Sequence, residues 1–293
     1  MARHFLTGEE ISATELGSLL ERAAALKAAR PTEGAAALAG RSVALVFEQP
    51  STRTRVSFEV GITELGAHPV VLRGDELQLS RGESVEDTAR VLSRYVAAIA
   101  IRSGSQAIVA GLAEGAEVPV INLLTPEHHP CQALADLLTL RERFGALEGL
   151  RIAYVGDGNN VARSLAILGG RAGVEVVVSS PPGYELTDGA GAELAADPQA
   201  AVAGADAIYT DVWVSMGDEA EAAARREALA PWRVDEALLA EAADRAVVLH
   251  CLPAHPGEEI TAEVLYGPRS AVWDQAENRL HAQKALLELL ITC

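Results

Sequence analysis

"SVALVFEQPSTRTRVSFEV" (42–60) holds three things in succession: an unbroken apolar run, a short polar turn, and a segment that opens on hydroxyls and arginines. "SVALVF" (42–47) has the continuous aliphatic and β-branched character of a strand buried on both faces, as parallel sheets require. Pro50 ends the strand exit, and Ser51 is a natural N-cap for a helix predicted over 52–66. A strand leading directly into a capped helix is the unit of an open α/β sheet, and it turns the amide N–H groups of the first helical turn toward the strand's carboxyl edge. That edge attracts anions. Thr52, Arg53 and Thr54 form this first turn, and Arg53 and Thr54 add donors suited to phosphate oxygens. Arg55 lies about 200° around the helix from Arg53. With Glu59 one turn on, it reads as a structural ion pair. On spacing alone, a phosphate site and an ordinary capped, salt-bridged helix are both open.

The same alternation fills the chain. Further strands are predicted at "PVVLR" (69–73), "AAIAIR" (97–102), "VPVINL" (118–123), "RIAYVG" (151–156), "VEVVVSS" (174–180), "ADAIYTD" (205–211) and "AVVLHCL" (246–252). Helical patterns lie between them, among others at 84–95, 130–144, 160–171 and 276–291. The fold class is therefore α/β, with two doubly wound parallel-sheet domains of similar size. "FGALEGLR" (144–151) is the predicted boundary, because Gly145 and Gly149 separate a long helix from a fresh strand. The expected domains are 1–145 and 146–275. Residues 276–293 form a C-terminal helix with no strand after it, expected to cross back onto the first domain.

Net charge is −17, from 24 basic and 41 acidic residues, which argues against nucleic acid or an anionic membrane as partner. No run approaches the ~20 apolar residues of a membrane helix, and the start, "MARHFLTGEE", lacks the apolar core of a secretory signal. Three cysteines are too few, and odd in number, for a disulfide framework, so a reducing cytoplasm is expected.

Four more clusters carry chemistry. In "PEHHPCQALADL" (126–137), Pro130 suits the first helical position and leaves His129 at the cap. His129 and Gln132, three apart, can offer donors to one carbonyl oxygen, while His128 reads as structural. Cys131 lies between them, but no second Cys/His pair stands at metal-ligand spacing, so no metal is expected. "VGDGNNVARS" (155–164) begins like a dinucleotide loop, yet Val161 occupies the third glycine position and no ribose-binding acid ends the next strand. Asn159 and Asn160 can instead present amides to a carboxylate and an ammonium. In "TDVWVSMGDE" (210–219), Asp211 at a strand's carboxyl end suits an α-ammonium, with Ser215 and Met216 following it. "LHCLPAHPGEEI" (249–260) puts Cys251 and Leu252 at another strand end, and "DQAENRLHAQ" (274–283) offers Arg279 early in the last helix. The stretch near 219–228 reads as an Ala/Glu-rich surface patch.

Together, S-T-R-T-R at 51–55, H-P-C-Q at 129–132, D-x-x-x-S-M-G at 211–217 and H-C-L-P at 250–253 resemble the aspartate/ornithine carbamoyltransferase family, the last two its ornithine branch. The resemblance spans nearly the whole chain. It departs from many relatives at Cys131, where they carry threonine. It implies carbamoyl phosphate bound by Ser51, Thr52, Arg53 and Thr54, with Arg102 bridging phosphate and carbonyl and His129 and Gln132 on the carbamoyl end. Cys251, Leu252 and Arg279 are implied to line the same ligand. Ornithine is implied to be held by Asn160, Asp211, Ser215 and Met216. Gln78, in "DELQLSRGES", matches a loop residue that family members lend to a neighbouring subunit, which implies a homotrimer or a multiple of trimers. The implied reaction needs no cofactor. It polarises the carbonyl with Arg53, Arg102 and His129, and Asp211 and Cys251 are the candidates for positioning the amine and easing its loss of a proton. Rival acceptors are putrescine, an N-acylated ornithine and aspartate. A non-catalytic sensor of carbamoyl phosphate is a rival of another class, although its expected mark, a broken transition-state residue, is missing here.

Overall fold

A computed structural model describes residues 2–292 apart from 31, 33, 77–81, 216 and 218. Two compact units emerge: Met1–Leu138 with Asn278–Cys293, and Thr139–Glu277. Both are α/β units with wholly parallel sheets, as the continuous apolar strands predict.

The first unit runs α1 (Ala13–Ala28), β1 (Ser42–Phe47), α2 (Thr52–Glu64), β2 (His68–Arg73), α3 (Val85–Ser93), β3 (Ala98–Arg102), α4 (Gln106–Gly115), β4 (Val120–Leu124) and the start of α5 (Pro130–Phe144). Sheet order is β2-β1-β3-β4, so the winding reverses between β1 and β3. In register there, Phe47 lies opposite Arg102. The last residues of both strands thus open onto the switch point, where open α/β sheets take their ligands. Val46, Ile99, Ile101 and Val120 bury one face of this sheet against Ala89 of α3 and Val109 and Leu112 of α4.

The second unit continues through β5 (Arg151–Val155), α6 (Asn160–Arg171), β6 (Glu175–Ser179), β7 (Glu193–Ala195), α7 (Pro198–Val202), β8 (Ala207–Thr210), α8 (Ala222–Leu229), α9 (Glu236–Ala240), β9 (Val247–His250), α10 (Ala262–Leu265) and the start of α11 (Val272–Thr292). Its order is β7-β6-β5-β8-β9, with the reversal between β5 and β8. Thr210 Oγ1 donates to the Val155 carbonyl at 2.7 Å and locks those two carboxyl ends together. β7 was not among the predicted strands. Its three residues are too short to show a period, and only pairing with Val177–Ser179 makes it a strand.

Most of α11, from Asn278 on, belongs to the first unit. Three polar contacts pin it there: Lys27 Nζ donates to Asn278 Oδ1 at 2.7 Å, Arg22 pairs with Glu288 at 2.5 Å, and Lys284 pairs with Glu64 at 2.9 Å. Gly61 of α2 makes the approach possible, since a Cβ there would stand 3.2 Å from Lys284 Cγ and 3.3 Å from Leu280 Cδ1. Lys284 is fully buried. Burial by itself would raise the Glu64 carboxyl, but hydrogen bonds from Lys284 and Arg30 hold it below the usual range. Glu64→Gln therefore strands a buried ammonium and is expected to cost about 3–5 kcal/mol in chemical denaturation. Lys284→Met costs less, because Glu64 keeps Arg30 at 2.8 Å.

Candidate active site

At the first switch point, Ser51 caps α2 as predicted, its side chain accepting from the Thr54 N–H at 3.4 Å. Arg55 turns away to Glu59 at 2.9 Å, the expected ion pair, and Arg53 is exposed on the first turn. Glu48 sets the neighbouring loop. Its N–H donates to the Arg102 carbonyl at 3.0 Å, and its carboxylate takes the Ser103 hydroxyl at 2.5 Å and the Gly104 N–H at 3.2 Å. The residues after β3 are thereby drawn to the loop that leads into α2.

Arg279 enters the same neighbourhood from α11. Its guanidinium donates to Gln132 Oε1 and to Thr54 Oγ1, each at 2.6 Å, and Gln132 Nε2 in turn donates to Asp136 at 2.8 Å. The Gln132 amide is therefore oriented at both ends, and Arg279 is held rigidly although almost wholly buried. His129 lies buried beside this group. Burial first, then the charges of Arg279, Arg102 and Arg53, press its pKa well below the ordinary histidine value. At neutral pH the imidazole is uncharged, and it can donate an N–H to a carbonyl without adding a fourth positive charge. Three arginines gathered in a chain of net charge −17 make a local cationic basin fit for a doubly charged anion.

The second switch point carries opposite chemistry. Asp211, directly after β8, is 7% exposed. Its Oδ1 accepts the Cys251 thiol at 2.9 Å, and its Oδ2 accepts Asn159 Nδ2 at 2.9 Å. Cys251 leads the turn after β9. His250 Nδ1 accepts the Leu252 N–H at 2.9 Å, and His250 Nε2 meets the buried Glu259 carboxylate at 3.1 Å. That pairing holds Leu252 in the left-handed region, at φ 60°. Asp211, His250 and Cys251 each offer one atom within a 4.8 Å cluster that could take a cation. Both His250 nitrogens and the Cys251 thiol are already engaged, so a cation would have to break existing bonds.

The predicted site residues fall into two groups. Ser51, Thr52, Arg53, Thr54, Arg102, His129, Gln132 and Arg279 belong to the first unit, whereas Asn160, Asp211, Ser215, Cys251 and Leu252 belong to the second. Gln78 and Met216 lie outside the described residues. Asn160 opens α6 and Ser215 is half-buried, while Asn159 is the cap that reaches Asp211. His128 has the structural part expected of it, closing a turn in which its N–H donates to Thr125 Oγ1 and its carbonyl accepts the Thr125 N–H.

Two positioning residues escaped the sequence reading. Glu48 carried no pattern. Arg225 lay within the Ala/Glu-rich stretch near 219–228, yet it is 8% exposed, donates to the Trp213 carbonyl at 2.6 Å, bonds to Asp157 and stacks 5.0 Å over Tyr184. It ties the segment after β8 to the G-D-G-N-N turn after β5.

The G-D-G-N-N turn is not an open phosphate loop. A Cβ on Gly158 would lie 2.2 Å from Leu186 N and 2.6 Å from the Glu185 carbonyl carbon. The close approach that glycine permits is occupied by the chain's own backbone, not left for a pyrophosphate.

The two described cysteines differ sharply. Burial pushes the Cys131 thiol up to about 12, with Arg279 opposing, and its Sγ donates to the Asn122 carbonyl at 3.4 Å. Cys251 is partly exposed. Iodoacetamide at pH 8 is expected to label Cys251 and spare Cys131 in the native protein, read by peptide mass spectrometry.

Comparisons with known proteins give the chain's family and relatives. Residues 3–142 match the family model described as aspartate/ornithine carbamoyltransferase, carbamoyl-P binding domain, and residues 148–290 match the Asp/Orn binding domain of the same family. An ornithine carbamoyltransferase of Acidothermus cellulolyticus is 57% identical, over 99% of this chain and 97% of its own. The structure of ornithine carbamoyltransferase from Pyrococcus furiosus superposes with a TM-score of 0.93 at 48% identity, covering 99% of this chain and 97% of that one. The Thermus thermophilus enzyme gives 0.92 at 44% identity, covering 99% of each. Among the described residues no helix is long and apolar enough to cross a membrane.

Proposed function

The chain belongs to the aspartate/ornithine carbamoyltransferase family, and from that premise we propose that it transfers the carbamoyl group of carbamoyl phosphate to the side-chain amine of L-ornithine, giving L-citrulline and phosphate. The observation that carries this reading is the cationic basin of Arg53, Arg102 and Arg279 around an uncharged, buried His129. An acyl phosphate, a mixed anhydride with a neutral carbamoyl group, asks for positive charge at one end and a neutral donor at the other.

Ser51, Thr52, Arg53 and Thr54 hold the phosphoryl oxygens, with Arg279 fixed behind Thr54. Arg102 spans phosphate and carbonyl, and His129 and Gln132 address the carbamoyl end. Asp211 holds ornithine's α-ammonium with Ser215 and Met216, Asn160 faces its carboxylate, and Cys251 and Leu252 line the approach of the reacting amine. The amine's lone pair attacks the carbamoyl carbon. Charge gathers on the carbonyl oxygen, where Arg53, Arg102 and His129 oppose it. The carbon–oxygen bond to phosphate then breaks, the electron pair leaves with the already clamped phosphate, and the nitrogen releases a proton.

An alkyl amine of pKa near 10 is only about 0.1% neutral at pH 7. kcat/KM for ornithine should therefore climb between pH 7 and 8.5, by at most roughly 30-fold. His129 adds nothing to that slope, since its pKa lies well below the window. The deciding assay measures citrulline from carbamoyl phosphate with ornithine, putrescine, N-acetylornithine and aspartate in parallel. Turnover with ornithine alone is expected. Turnover with another amine reassigns the acceptor, and none with any amine, beside tight phosphate binding, turns the reading to a carbamoyl-phosphate sensor. The same reading carries a reducing cytoplasmic setting and a trimer, or a multiple of it, in which Gln78 serves a neighbouring copy.

A further inference from the structure

We propose that Asn159 is a positioning residue for Asp211, fixing the carboxylate that receives the amino-acid substrate. The inference rests on the role given to Asp211 above. Asn159 Oδ1 accepts three bonds: from the Val161 N–H at 2.9 Å, the Ala162 N–H at 3.3 Å and the Tyr154 hydroxyl at 3.0 Å. Rotating the amide by 180° would set its NH2 against two backbone donors and its oxygen against a carboxylate. One orientation survives, and it directs Nδ2 at Asp211 Oδ2, 2.9 Å away. With Cys251 on Oδ1, both carboxylate oxygens are engaged from within the fold, one from the helix cap and one from the turn after β9.

Tyr154 completes the lock. It is fully buried, and burial, followed by the charges of Asp211, Cys251 and Asp157, keeps its phenol protonated far above the working range, so it remains a donor. Serine, threonine or aspartate could cap α6 as well as asparagine. Of these caps only asparagine carries two separate polar atoms, an oxygen for the helix N–H groups and an NH2 directed at a neighbouring carboxylate. The residue type at 159 is thus explained by Asp211 and not by helix stability.

Three substitutions separate these parts. N159S keeps a cap and loses the amide NH2 that reaches Asp211 Oδ2, and kcat/KM for ornithine should fall about 10- to 100-fold, the range for a lost bond to a charged group. KM for carbamoyl phosphate should not move. N159D keeps the cap but sets a second carboxylate against Asp211, and the two would share one proton at low pH. The other groups facing Asp211 are Cys251, His250 and Tyr154, with Asp157 held by Arg225. None of them changes between the parent and the two position-159 variants. The ratio of N159D to parent kcat/KM should accordingly fall with rising pH as the shared proton is lost, while the amine-driven climb between pH 7 and 8.5 remains in both. Y154F, which retains the ring and loses one bond to Oδ1, should fall severalfold.

A second readout needs no turnover: the pH midpoint for alkylation of Cys251, mapped by mass spectrometry, should move up in N159D through the added negative charge beside its acceptor. Parent-like pH profiles and alkylation midpoints in both position-159 variants overturn the proposal. If the parent makes no citrulline but N159D still shifts the midpoint, the functional reading fails while the positioning role stands. If N159D is poorly folded, N159S and Y154F decide: unchanged ornithine kinetics in both overturn it.

Discussion

Arg53→Gln is expected to lower kcat/KM for carbamoyl phosphate by about a thousandfold, the upper range for losing one transition-state donor. Folding should be untouched, since Arg53 is exposed on the first turn of α2 and surface changes usually stay within about 0.5 kcal/mol. Arg55→Gln, two residues on, makes the matched control. It removes the 2.9 Å pair with Glu59 and should cost about 0.3–0.5 kcal/mol with turnover retained. Steady-state kinetics and urea midpoints on the two variants read the contrast directly. Equal losses of activity at both positions, or a fully active Arg53→Gln, would sink the division of charge within S-T-R-T-R.

Asp211→Asn should lower kcat/KM for ornithine by roughly a thousandfold, from the 2–5 kcal/mol that loss of a buried charge partner costs. The neutral amide no longer attracts an ammonium. It also cannot satisfy both neighbours, because an Asn at 211 that accepts the Cys251 thiol turns its NH2 toward Asn159 Nδ2, donor against donor. Stabilisation by phosphate, whose proposed ligands Ser51 to Thr54 belong to the first unit, should match the parent in thermal melts. A variant that loses phosphate stabilisation as well would mean that Asp211 supports the fold and not the acceptor alone.

Much of this was legible locally. All the strands but β7 contain continuous apolar runs, and a parallel strand buried on two faces must. Ser51 as cap and Arg55 with Glu59 follow from helix geometry within a few residues, and the structure has both. Windings that reverse after β1 and after β5 bring the S-T-R-T-R and G-D-G-N-N turns to the carboxyl edges expected of them. The family motifs added roles to those positions but no orientations.

What the sequence by itself determined is therefore the element order, the parallel α/β class, the capped anion-binding turn, and which side chains could carry the chemistry. These depend on periodicity, on backbone donors and on residue type, all of which act within a few residues of chain. Only the tertiary structure decided the pairings that make those side chains rigid. Arg279 reaches Gln132 and Thr54 across 147 and 225 residues of sequence, and no local signal separates it from a solvated helix arginine. Arg225 looked like surface because its neighbours are alanine and glutamate, and burial against Trp213 and Asp157 gave it its work. Asn159 looked like one of two amides for a ligand. Three donors on its oxygen, all within five residues of it, turned its nitrogen outward, but the Asp211 carboxylate that the nitrogen meets lies 52 residues on, and only folding brings it to 2.9 Å.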